Sequence, residues 1–326
     1  MKEIVFSIII PVRKINPYLT ETLQKLKKQT FKQFEVLVIT DKVSGSANPS
    51  EKRNLGAKMA KGDYLTFLDD DSYPSKSYLQ NIFKIIQKNP EYTAICGPCL
   101  TPPKDSPYQK ASGLFWSSWL GSGGAGVYRN NIQPARFVDD FPSVNLTVNK
   151  KDFHSIGGFN TSYWPGEDTI LCLDLTQKLN KKIFYHPSVI VYHHRRSVVI
   201  PHLQQITRYA IHRGFFAKRF PQTSLKVGYL TPSFFSLYII TLAIINPFHY
   251  YFILNIPLYL YISILLLTLI IFILQKNKIK TAILATVTIP ITHLYYGILF
   301  LRGFLKKEIK FKPHAFDKKT GKYIGG

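Results

Sequence analysis

The stretch Tyr64-Leu65-Thr66-Phe67-Leu68 runs directly into Asp69-Asp70-Asp71, and this junction indicates how the first part of the chain folds. A short apolar run of this kind is typical of a buried parallel strand. Three carboxylates at its end repel one another unless a cation lies among them. Their oxygens suit Mg²⁺ or Mn²⁺, and open α/β sheets bind ligands beyond the carboxyl ends of their strands. The alternative is a polar turn that leads into a helix near Pro74, and the junction alone favours the metal only slightly.

The same run belongs to a regular alternation of strand-like and helix-like segments. Short apolar runs predict strands at residues 6–10, 36–39, 64–68 and 93–96, and amphipathic stretches predict helices at 18–28, 51–60 and 77–87. This order predicts a mostly parallel sheet covered by helices, with the ends of the first three strands at one edge. Further along, a strand is predicted at 143–148, a helix at 167–179 and a strand at 188–192.

Residues 102–136 break this alternation, because they are rich in Gly, Ser and Pro and include Trp116 and Trp119. A long irregular segment inside a compact domain is more often a functional loop than a linker. We therefore expect a functional loop in this part of the chain.

The charge of the chain is strongly positive and unevenly placed. The 326 residues carry a formal charge of +23, and Lys and Arg concentrate at 195–219 and after Arg302, on either side of a long apolar region. This distribution suits an anionic membrane surface better than a nucleic-acid groove, so no nucleic-acid partner is expected.

The amino terminus and the cysteines both indicate the cytoplasm. Residues 1–3 lead straight into a strand and do not resemble a signal peptide. Three cysteines, Cys96, Cys99 and Cys172, are too few for a disulfide scaffold. Two prolines soon after Cys99 disfavour the helix that a redox dithiol needs.

The apolar region after Pro232 predicts membrane helices. Segments 234–245 and 256–274 are almost free of charge and are separated by a break at 246–249, which predicts a membrane hairpin. A third segment, 279–301, is more polar but long enough to span. The basic clusters at 276–280 and 306–312 both favour the cytoplasmic side, so we expect two spans and a third segment that is re-entrant or interfacial. A buried soluble helical bundle is the alternative.

Residues 202–220 predict an amphipathic helix between these parts. Apolar residues share one face and Arg208, His212 and Arg219 share another. Such a helix lies either along the membrane surface or against the first domain. The predicted organisation is an α/β domain at 1–200, an interface segment at 201–230, membrane helices at 231–304 and a basic tail at 305–326.

The order and spacing of short motifs over about the first 220 residues resemble the family 2 glycosyltransferases with a GT-A fold. The motifs are FSIIIPVR at 6–13, VITD at 38–41, KRNLG at 52–56, GDY at 62–64, LDDD at 68–71, SVNL at 143–146, IGGF at 156–159, GED at 166–168 and His193. The resemblance implies a Rossmann-like, mostly parallel GT-A domain, followed in this chain by an α-helical membrane region.

The resemblance also assigns a nucleotide-sugar site, for a UDP-, GDP- or dTDP-linked donor. Asp41 maps onto the acid that contacts the base or ribose, and the segment from Pro11 to Arg13 would wall the base. Arg53 would pair with the donor phosphates or the base edge, since a guanidinium matches phosphate oxygens.

The triple aspartate corresponds to the family's DXD motif. Asp69 is then expected near the ribose, and Asp71 on the Mn²⁺ or Mg²⁺ that bridges the diphosphate. Asp70 holds the variable middle position, and we include it among the candidate donor-binding residues. His193 occupies the position of a third metal ligand, for which His194 is a competing candidate.

Glu167-Asp168 matches the family's acidic pair, and we expect Asp168 to take the proton of the acceptor hydroxyl. Stabilisation of a helix amino terminus is the alternative role for both carboxylates. Gln205-Ile206-Thr207-Arg208-Tyr209 is similar to the QxxRW signature of processive synthases, but Tyr replaces Trp, which argues against processivity. Arg208 would bind the donor phosphates or lipid headgroups.

These inferences predict a multi-pass enzyme of the cytoplasmic membrane whose catalytic domain faces the cytoplasm. It would be a metal-dependent inverting glycosyltransferase that moves a sugar from a nucleotide sugar to a hydroxyl acceptor. That acceptor would be lipid-linked or a cell-surface glycan precursor. The alternatives are a polyprenyl-phosphate sugar synthase of the same fold and, more distantly, a non-catalytic membrane scaffold.

Overall fold

The computed structural model describes residues 3–124, 126–247, 251–309, 315–316 and 323–324. The chain divides into two compact units. The first unit comprises Met1–Leu100, Asn131–His193 and Ile309–Gly326, and the second comprises Thr101–Asn130 and His194–Glu308. Residues 101–130, which the sequence placed in the first domain, thus belong to the second unit. The predicted basic tail at 305–326 and the predicted break at 246–249 lie partly outside the described residues.

Strands and helices alternate through about the first 200 residues, and long helices follow. The strands are β1 Phe6–Val12, β2 Phe34–Thr40, β3 Tyr64–Phe67, β4 Ser72–Pro74, β5 Ala94–Cys96, β6 Cys99–Leu100, β7 Arg136–Val138, β8 Leu146–Asn149, β9 Ile183–Tyr185, β10 Val191–His193, β11 Ala315–Phe316 and β12 Tyr323–Ile324. The helices are α1 Pro17–Lys27, α2 Asp41–Ser44, α3 Pro49–Met59, α4 Tyr78–Lys88, α5 Pro107–Ser117, α6 Trp119–Ser122, α7 Val127–Asn130, α8 Lys150–Ser155, α9 Glu167–Leu173, α10 Ile200–Arg219, α11 Pro221–Ser224, α12 Val227–Ile245, α13 Phe252–Leu274 and α14 Ile279–Leu305.

The first unit is built on a mixed sheet. Among the described residues, seven strands form it in the order β2-β1-β3-β8-β5-β9-β7. Strands β2, β1 and β3 run parallel, as predicted, whereas β8 is antiparallel to β3 and β5, and β7 is antiparallel to β9. A smaller sheet in the same unit has the order β4-β10-β6.

Helix packing on β1 explains where the core of the first unit lies. Every residue of β1 is buried between its two parallel neighbours. Leu19 and Leu26 of α1 and Leu79 and Ile82 of α4 fill one core cluster with it. Burial of each such side chain contributes roughly 1.5–3 kcal/mol relative to exposure.

Helix α3 approaches the sheet closely because it carries a glycine at the contact. A Cβ built at Gly56 would lie 2.5 Å from Ile9 Cγ2 and 3.3 Å from Ile39 Cγ1. A side chain at this position would therefore push α3 away from β1 and β2. The close approach fixes the register of α3 over the ends of these strands.

Two predicted elements differ in their bounds. The strand predicted at 143–148 begins at Leu146, because Ser143–Asn145 forms a 3-10 turn. The amide of Asn145 donates to the carbonyls of Gly97 and Val189, which holds this turn against two other segments. The helix predicted at 167–179 ends at Leu173 and continues as a wider π-helical segment, Asp174–Lys178.

The second unit is helical, and the expected loop at 102–136 contributes α5, α6 and α7 to it. Ala111 and Phe115 of α5 pack on Ala282, Ala285 and Ile289 of α14. The segment is therefore a packed part of the helical unit rather than an irregular loop.

Helix α10 covers the predicted amphipathic segment, and its apolar face packs on α14. Close contact depends on small residues, since a Cβ at Gly214 would lie 2.0 Å from the Phe300 carbonyl oxygen. A Cβ at Gly303 would likewise lie 2.1 Å from the Ile211 carbonyl oxygen. The apolar face of α10 is thus covered by protein within its own unit.

Three helices in the described part of the chain, α12, α13 and α14, are long and apolar enough to span a membrane. Their apolar windows differ in burial, which is 17% in α12, 11% in α13 and 44% in α14. The third apolar segment, expected to be re-entrant or interfacial, is a continuous helix of 27 residues.

Candidate active site

Parallel pairing brings the ends of β1, β2 and β3 to one edge of the sheet. Val12 of β1 pairs with Thr40 of β2, and Ile9 of β1 pairs with Phe67 of β3. The residues that follow these strands therefore lie at the edge where open α/β sheets bind ligands. The triple aspartate is among them, as the sequence predicted.

The acidic run forms a turn that leads into β4. The backbone N–H of Ser72 donates to the Asp69 carbonyl oxygen at 3.1 Å, which closes the turn. Strand β10 pairs antiparallel with β4, so that His193 lies opposite Ser72. This register places His193 next to Asp71, with 3.2 Å between Nε2 and Oδ1.

Asp69, Asp71 and His193 form a group that could hold a metal ion, since one ligand atom from each lies within 4.8 Å of the others. Two carboxylates and an imidazole fit Mn²⁺ well, because Mn²⁺ accepts nitrogen beside oxygen, and they also fit Mg²⁺ with added waters. The structure thus brings together Asp71 and His193, which the sequence singled out as ligands. It adds Asp69, which was expected near the ribose.

Asp70 lies outside this group and is held by Asn16. The Asn16 side-chain amide donates to Asp70 Oδ2, and its oxygen accepts from the Leu19 N–H at the start of α1. Burial raises the pKa of Asp70, and the neighbouring charge of Asp71 adds to the shift. The contact of Asn16 with Asp70 could not be predicted from the sequence, because Asn followed by Pro indicates only the start of a helix.

Arg53 joins two carboxylates rather than standing free. Its Nη2 lies 2.7 Å from Asp69 Oδ1 and its Nη1 lies 2.8 Å from Glu167 Oε1. The guanidinium also lies over the Phe159 ring, 5.4 Å from its centroid. Arg53 therefore connects the acidic run to the start of α9, a role that the sequence did not reveal.

The acidic pair opens α9 as predicted, directly after Gly166, whose φ of 122° favours glycine. Glu167 is buried, and this burial raises its pKa to about 7. The charge of Asp168 adds to the shift, whereas Arg53 opposes it. Asp168 is only half-buried and accepts from the backbone N–H groups of Thr169, at 2.9 Å, and Ser143, at 3.3 Å. Of the two carboxylates, Asp168 is the more accessible.

Asp41 begins α2 and forms a buried ion pair with Lys52. Lys52 Nζ lies 2.5 Å from Asp41 Oδ1 and also donates to the Val12 carbonyl oxygen at 3.1 Å. The sequence alone did not predict that Lys52 takes part in the site, because a lysine is almost never fully buried unless it is paired. A signal existed, since Lys52 lies one helical turn before Gly56 and so faces the sheet.

The other predicted site residues differ in exposure and in the unit to which they belong. Pro11 is buried within β1, whereas Arg13 is exposed and its carbonyl accepts from the Asp41 N–H at 3.4 Å. His194 belongs to the second unit, where its Nδ1 lies 2.5 Å from Asp105 Oδ1. Arg208 is exposed on α10 of the second unit.

Comparison with known proteins agrees with this geometry. The family model described as Glycosyl transferase family group 2 matches residues 64–296. An uncharacterized glycosyltransferase of Haemophilus influenzae is 24% identical over 219 residues, which cover 59% of this chain and 70% of that protein. The poly(ribitol-phosphate) beta-N-acetylglucosaminyltransferase TarS of Staphylococcus aureus is 31% identical over 109 residues, which cover 26% of this chain and 19% of TarS.

A solved structure extends the likeness over most of the chain. The mannosyltransferase PcManGT from Pyrobaculum calidifontis, in complex with GDP-Man and Mn²⁺, superposes with a TM-score of 0.63 at 15% identity. The match covers 93% of this chain and 88% of that protein, which confirms the predicted GT-A fold and the α-helical region that follows it. The family match confirms the resemblance seen in the sequence: the chain belongs to Glycosyl transferase family group 2 and is a glycosyltransferase.

Proposed function

We propose that this glycosyltransferase is metal-dependent and inverting, and that it moves a sugar from a UDP-, GDP- or dTDP-linked donor to a hydroxyl acceptor. The observation that carries the proposal is one connected network at the sheet edge. Asp69 belongs to the metal-capable group, Arg53 joins Asp69 to Glu167, and Asp168 follows directly with an accessible carboxylate.

Asp69, Asp71 and His193 would hold the Mn²⁺ or Mg²⁺. A divalent ion held there would withdraw charge from the nucleoside diphosphate and so ease the departure of this leaving group from the anomeric carbon. Arg53 keeps Asp69 in place by a charge-assisted hydrogen bond. The protein thus presents its ligands in a fixed arrangement before the donor binds.

Asp168 is assigned as the general base. Its carboxylate accepts the proton of the acceptor hydroxyl while that oxygen attacks the anomeric carbon, and the bond to the diphosphate breaks on the opposite face. Glu167 is engaged by Arg53 and by the Gly166 N–H, so it serves to position the start of α9. A single displacement of this kind inverts the anomeric configuration.

The nucleotide side of the site would be formed by the ends of β1 and β2, with Pro11, Arg13 and Asp41. Asp70, beside the ligand group, completes the donor side. Arg208 is proposed to bind phosphate groups, of the donor or of lipid headgroups.

Helices α12 and α13 are proposed to anchor the chain in the cytoplasmic membrane as a hairpin. Their apolar side chains are largely exposed, which a lipid environment would cover. Residues 246–251 between them contain no Lys or Arg, whereas Lys226 and Lys276 flank the hairpin, and this distribution supports an orientation with both ends in the cytoplasm. The catalytic unit would then face the cytoplasm.

Helix α14 is proposed to lie at the interface rather than to span. It packs along α10, which carries Arg208 and Arg219, and along α5, which carries Lys110. A spanning α14 would carry these helices into the hydrocarbon layer, where cationic side chains are costly. The acceptor of an enzyme held in this way is proposed to be lipid-linked or a cell-surface glycan precursor.

The polyprenyl-phosphate synthase alternative is less well supported, because an acceptor that is already an anion needs little base, whereas Asp168 is poised to accept a proton. The test uses the purified protein with Mn²⁺ and a panel of nucleotide sugars, with release of the nucleotide as the readout. One donor should bind and be consumed only when the metal is present. Release of no nucleotide from any donor, with Mn²⁺ or with Mg²⁺ in its place, would contradict the proposal and favour the scaffold.

A further inference from the structure

Helix α3 carries two adjacent buried cations that reach different parts of the site. Arg53 joins Asp69 and Glu167, on the metal and acceptor side. Lys52 is 2% exposed and joins Asp41 to the carbonyl of Val12, on the nucleotide side. The sequence and the family resemblance assigned no role to Lys52.

Burial of the Lys52 ammonium group costs free energy of folding, which its partners must offset. A lysine normally extends its ammonium into water, and a buried ion pair loses the hydration of both ions. Burial lowers the pKa of Lys52, although hydrogen bonding and attraction from Asp41 oppose this shift. The close contact of Gly56 with Ile9 and Ile39 fixes α3, so the Lys52 side chain cannot withdraw by a shift of the helix.

The groups that Lys52 joins are the ends of two neighbouring strands. Val12 is the last residue of β1, and Asp41 follows directly after β2. The Asp41 N–H also donates to the Arg13 carbonyl. One ammonium group therefore holds together the two segments that wall the proposed nucleotide site.

The Asp41 side chain is only 1% exposed, so it lies behind these segments. Its carboxylate can orient the start of α2 and, through Lys52, the end of β1. This arrangement suits an indirect action on the nucleotide better than direct contact.

We propose that Lys52 and Asp41 act as a pair of positioning residues for the donor nucleotide, by fixing the ends of β1 and β2 from within the protein. This inference rests on the proposed function, because it assumes that a nucleotide binds at this edge. The metal-capable group is held separately through Arg53, so the pair governs nucleotide affinity and leaves metal affinity unchanged.

The test compares nucleotide and metal binding in the full chain in detergent. Lys52→Met should weaken binding of UDP or GDP, measured by calorimetry with Mn²⁺ present, by about tenfold or more, the usual effect of losing a charge-assisted hydrogen bond. Binding of Mn²⁺ alone should stay within about twofold of the wild type, since its ligands are untouched. Lys58→Met, at an exposed lysine of the same helix, is the matched control and should bind like the wild type.

A double variant distinguishes positioning from direct contact and remains informative if Lys52→Met does not fold. Lys52→Met with Asp41→Asn leaves no unpaired buried charge, so it should fold and bind nucleotide no more weakly than either single variant. Losses that multiply in the double variant would show that Asp41 contacts the nucleotide directly. Wild-type affinity in the folded double variant, or equal losses of nucleotide and Mn²⁺ binding, would also overturn the inference. A wild-type protein that binds no nucleotide would instead contradict the proposed function.

Discussion

The two units of the molecule bury polar groups in different ways. In the first unit, ionised side chains are joined across elements, as Lys52 is to Asp41 and Arg53 is to Asp69. In the core of the second unit, His202 lies between Ser112, at 3.1 Å, and Thr292, at 3.2 Å. Burial lowers the pKa of His202 to about 4, so this set of side chains is neutral at pH 7.

The difference agrees with the function proposed for each unit. Paired charges at strand ends hold side chains in fixed directions where an anionic donor is proposed to bind. Neutral hydrogen bonds of His202 join α5, α10 and α14 in the apolar part of the bundle, which suits a unit proposed to lie at a membrane. The buried guanidinium of Arg213, also on α10, lies over the rings of Tyr209 and Tyr229. Activity should therefore depend most on the charged network, and membrane attachment on the helical unit.

The largest effect is expected for Asp71→Asn. This substitution removes one ligand of the metal-capable group, so transfer should fall by about a thousandfold or more, because the charge on the leaving group is no longer offset. Transfer activity is measured as nucleotide release. Binding of Mn²⁺ is measured separately by electron paramagnetic resonance. Asp63→Asn, at an exposed aspartate just before β3, is the control. Full activity in Asp71→Asn would contradict the proposal that Asp71 holds a metal ion needed for transfer.

A smaller loss is expected for Asp168→Asn. Without a base, kcat should fall by roughly 300-fold, within the usual range for general-base catalysis, whereas nucleotide affinity should not change. Steady-state kinetics separate the two quantities. An unchanged kcat would point to an acceptor that is already ionised, as in the polyprenyl-phosphate alternative.

A lysine in α13 should impair membrane insertion, whereas one in α14 should not. Leu266 is 57% exposed and Val287 is 53% exposed, so neither substitution disturbs a packed core. Leu266→Lys should destabilise insertion by about 3 kcal/mol, the cost of a lysine at the centre of a spanning helix. Val287→Lys should be tolerated if α14 is interfacial. Alkaline extraction of membranes measures both, and equal losses would show that α14 also spans.

The stability of the two units should change with pH in opposite directions. The pKa of Glu167 is raised in the folded state to about 7 from 4.5, so its contribution to stability is lost as pH rises through this window. The pKa of His202 is lowered to about 4 from 6.5, so stability is lost as pH falls through that window. Each effect amounts to at most about 3 kcal/mol.

Tryptophan fluorescence follows each unit separately during urea unfolding of two variants, one without Trp164 and one without Trp116 and Trp119. Of the three tryptophans, Trp164 lies in the first unit and Trp116 and Trp119 lie in the second. Glu167→Gln should remove the pH dependence seen by Trp164, and His202→Gln should remove that seen by Trp116. A pH dependence that survives either substitution would assign it to other groups.

Much of the first unit could be predicted because its signals are local. Apolar runs of strand length and amphipathic helices located β1, β2, β3, α1, α3 and α4 to within a few residues. The carboxylates that follow β3 and open α9 were found for the same reason. The antiparallel direction of β8 was not foreseen, since strand direction depends on the path of the chain and leaves no mark in periodicity.

The contacts that organise the site were not predictable in the same way. In the sequence Arg53 is one of many cationic residues. Only the folded structure shows that its guanidinium lies within 2.8 Å of both Asp69 and Glu167 and joins them. Residues 101–130 read as a loop of the first unit because they follow it in the chain, yet their apolar face matches α14, far away in sequence.

The amino-acid sequence by itself determined the family, the α/β order and the candidate ligands Asp71 and His193, because these depend on residue type and short-range spacing. Tertiary structure alone decided that Asp69 lies with the candidate ligands, that Lys52 pairs with Asp41 while Arg53 pairs with Asp69 and Glu167, and that α14 is more buried than α12 and α13. The physical reason is that ion pairing and burial depend on distances between side chains that are remote along the chain.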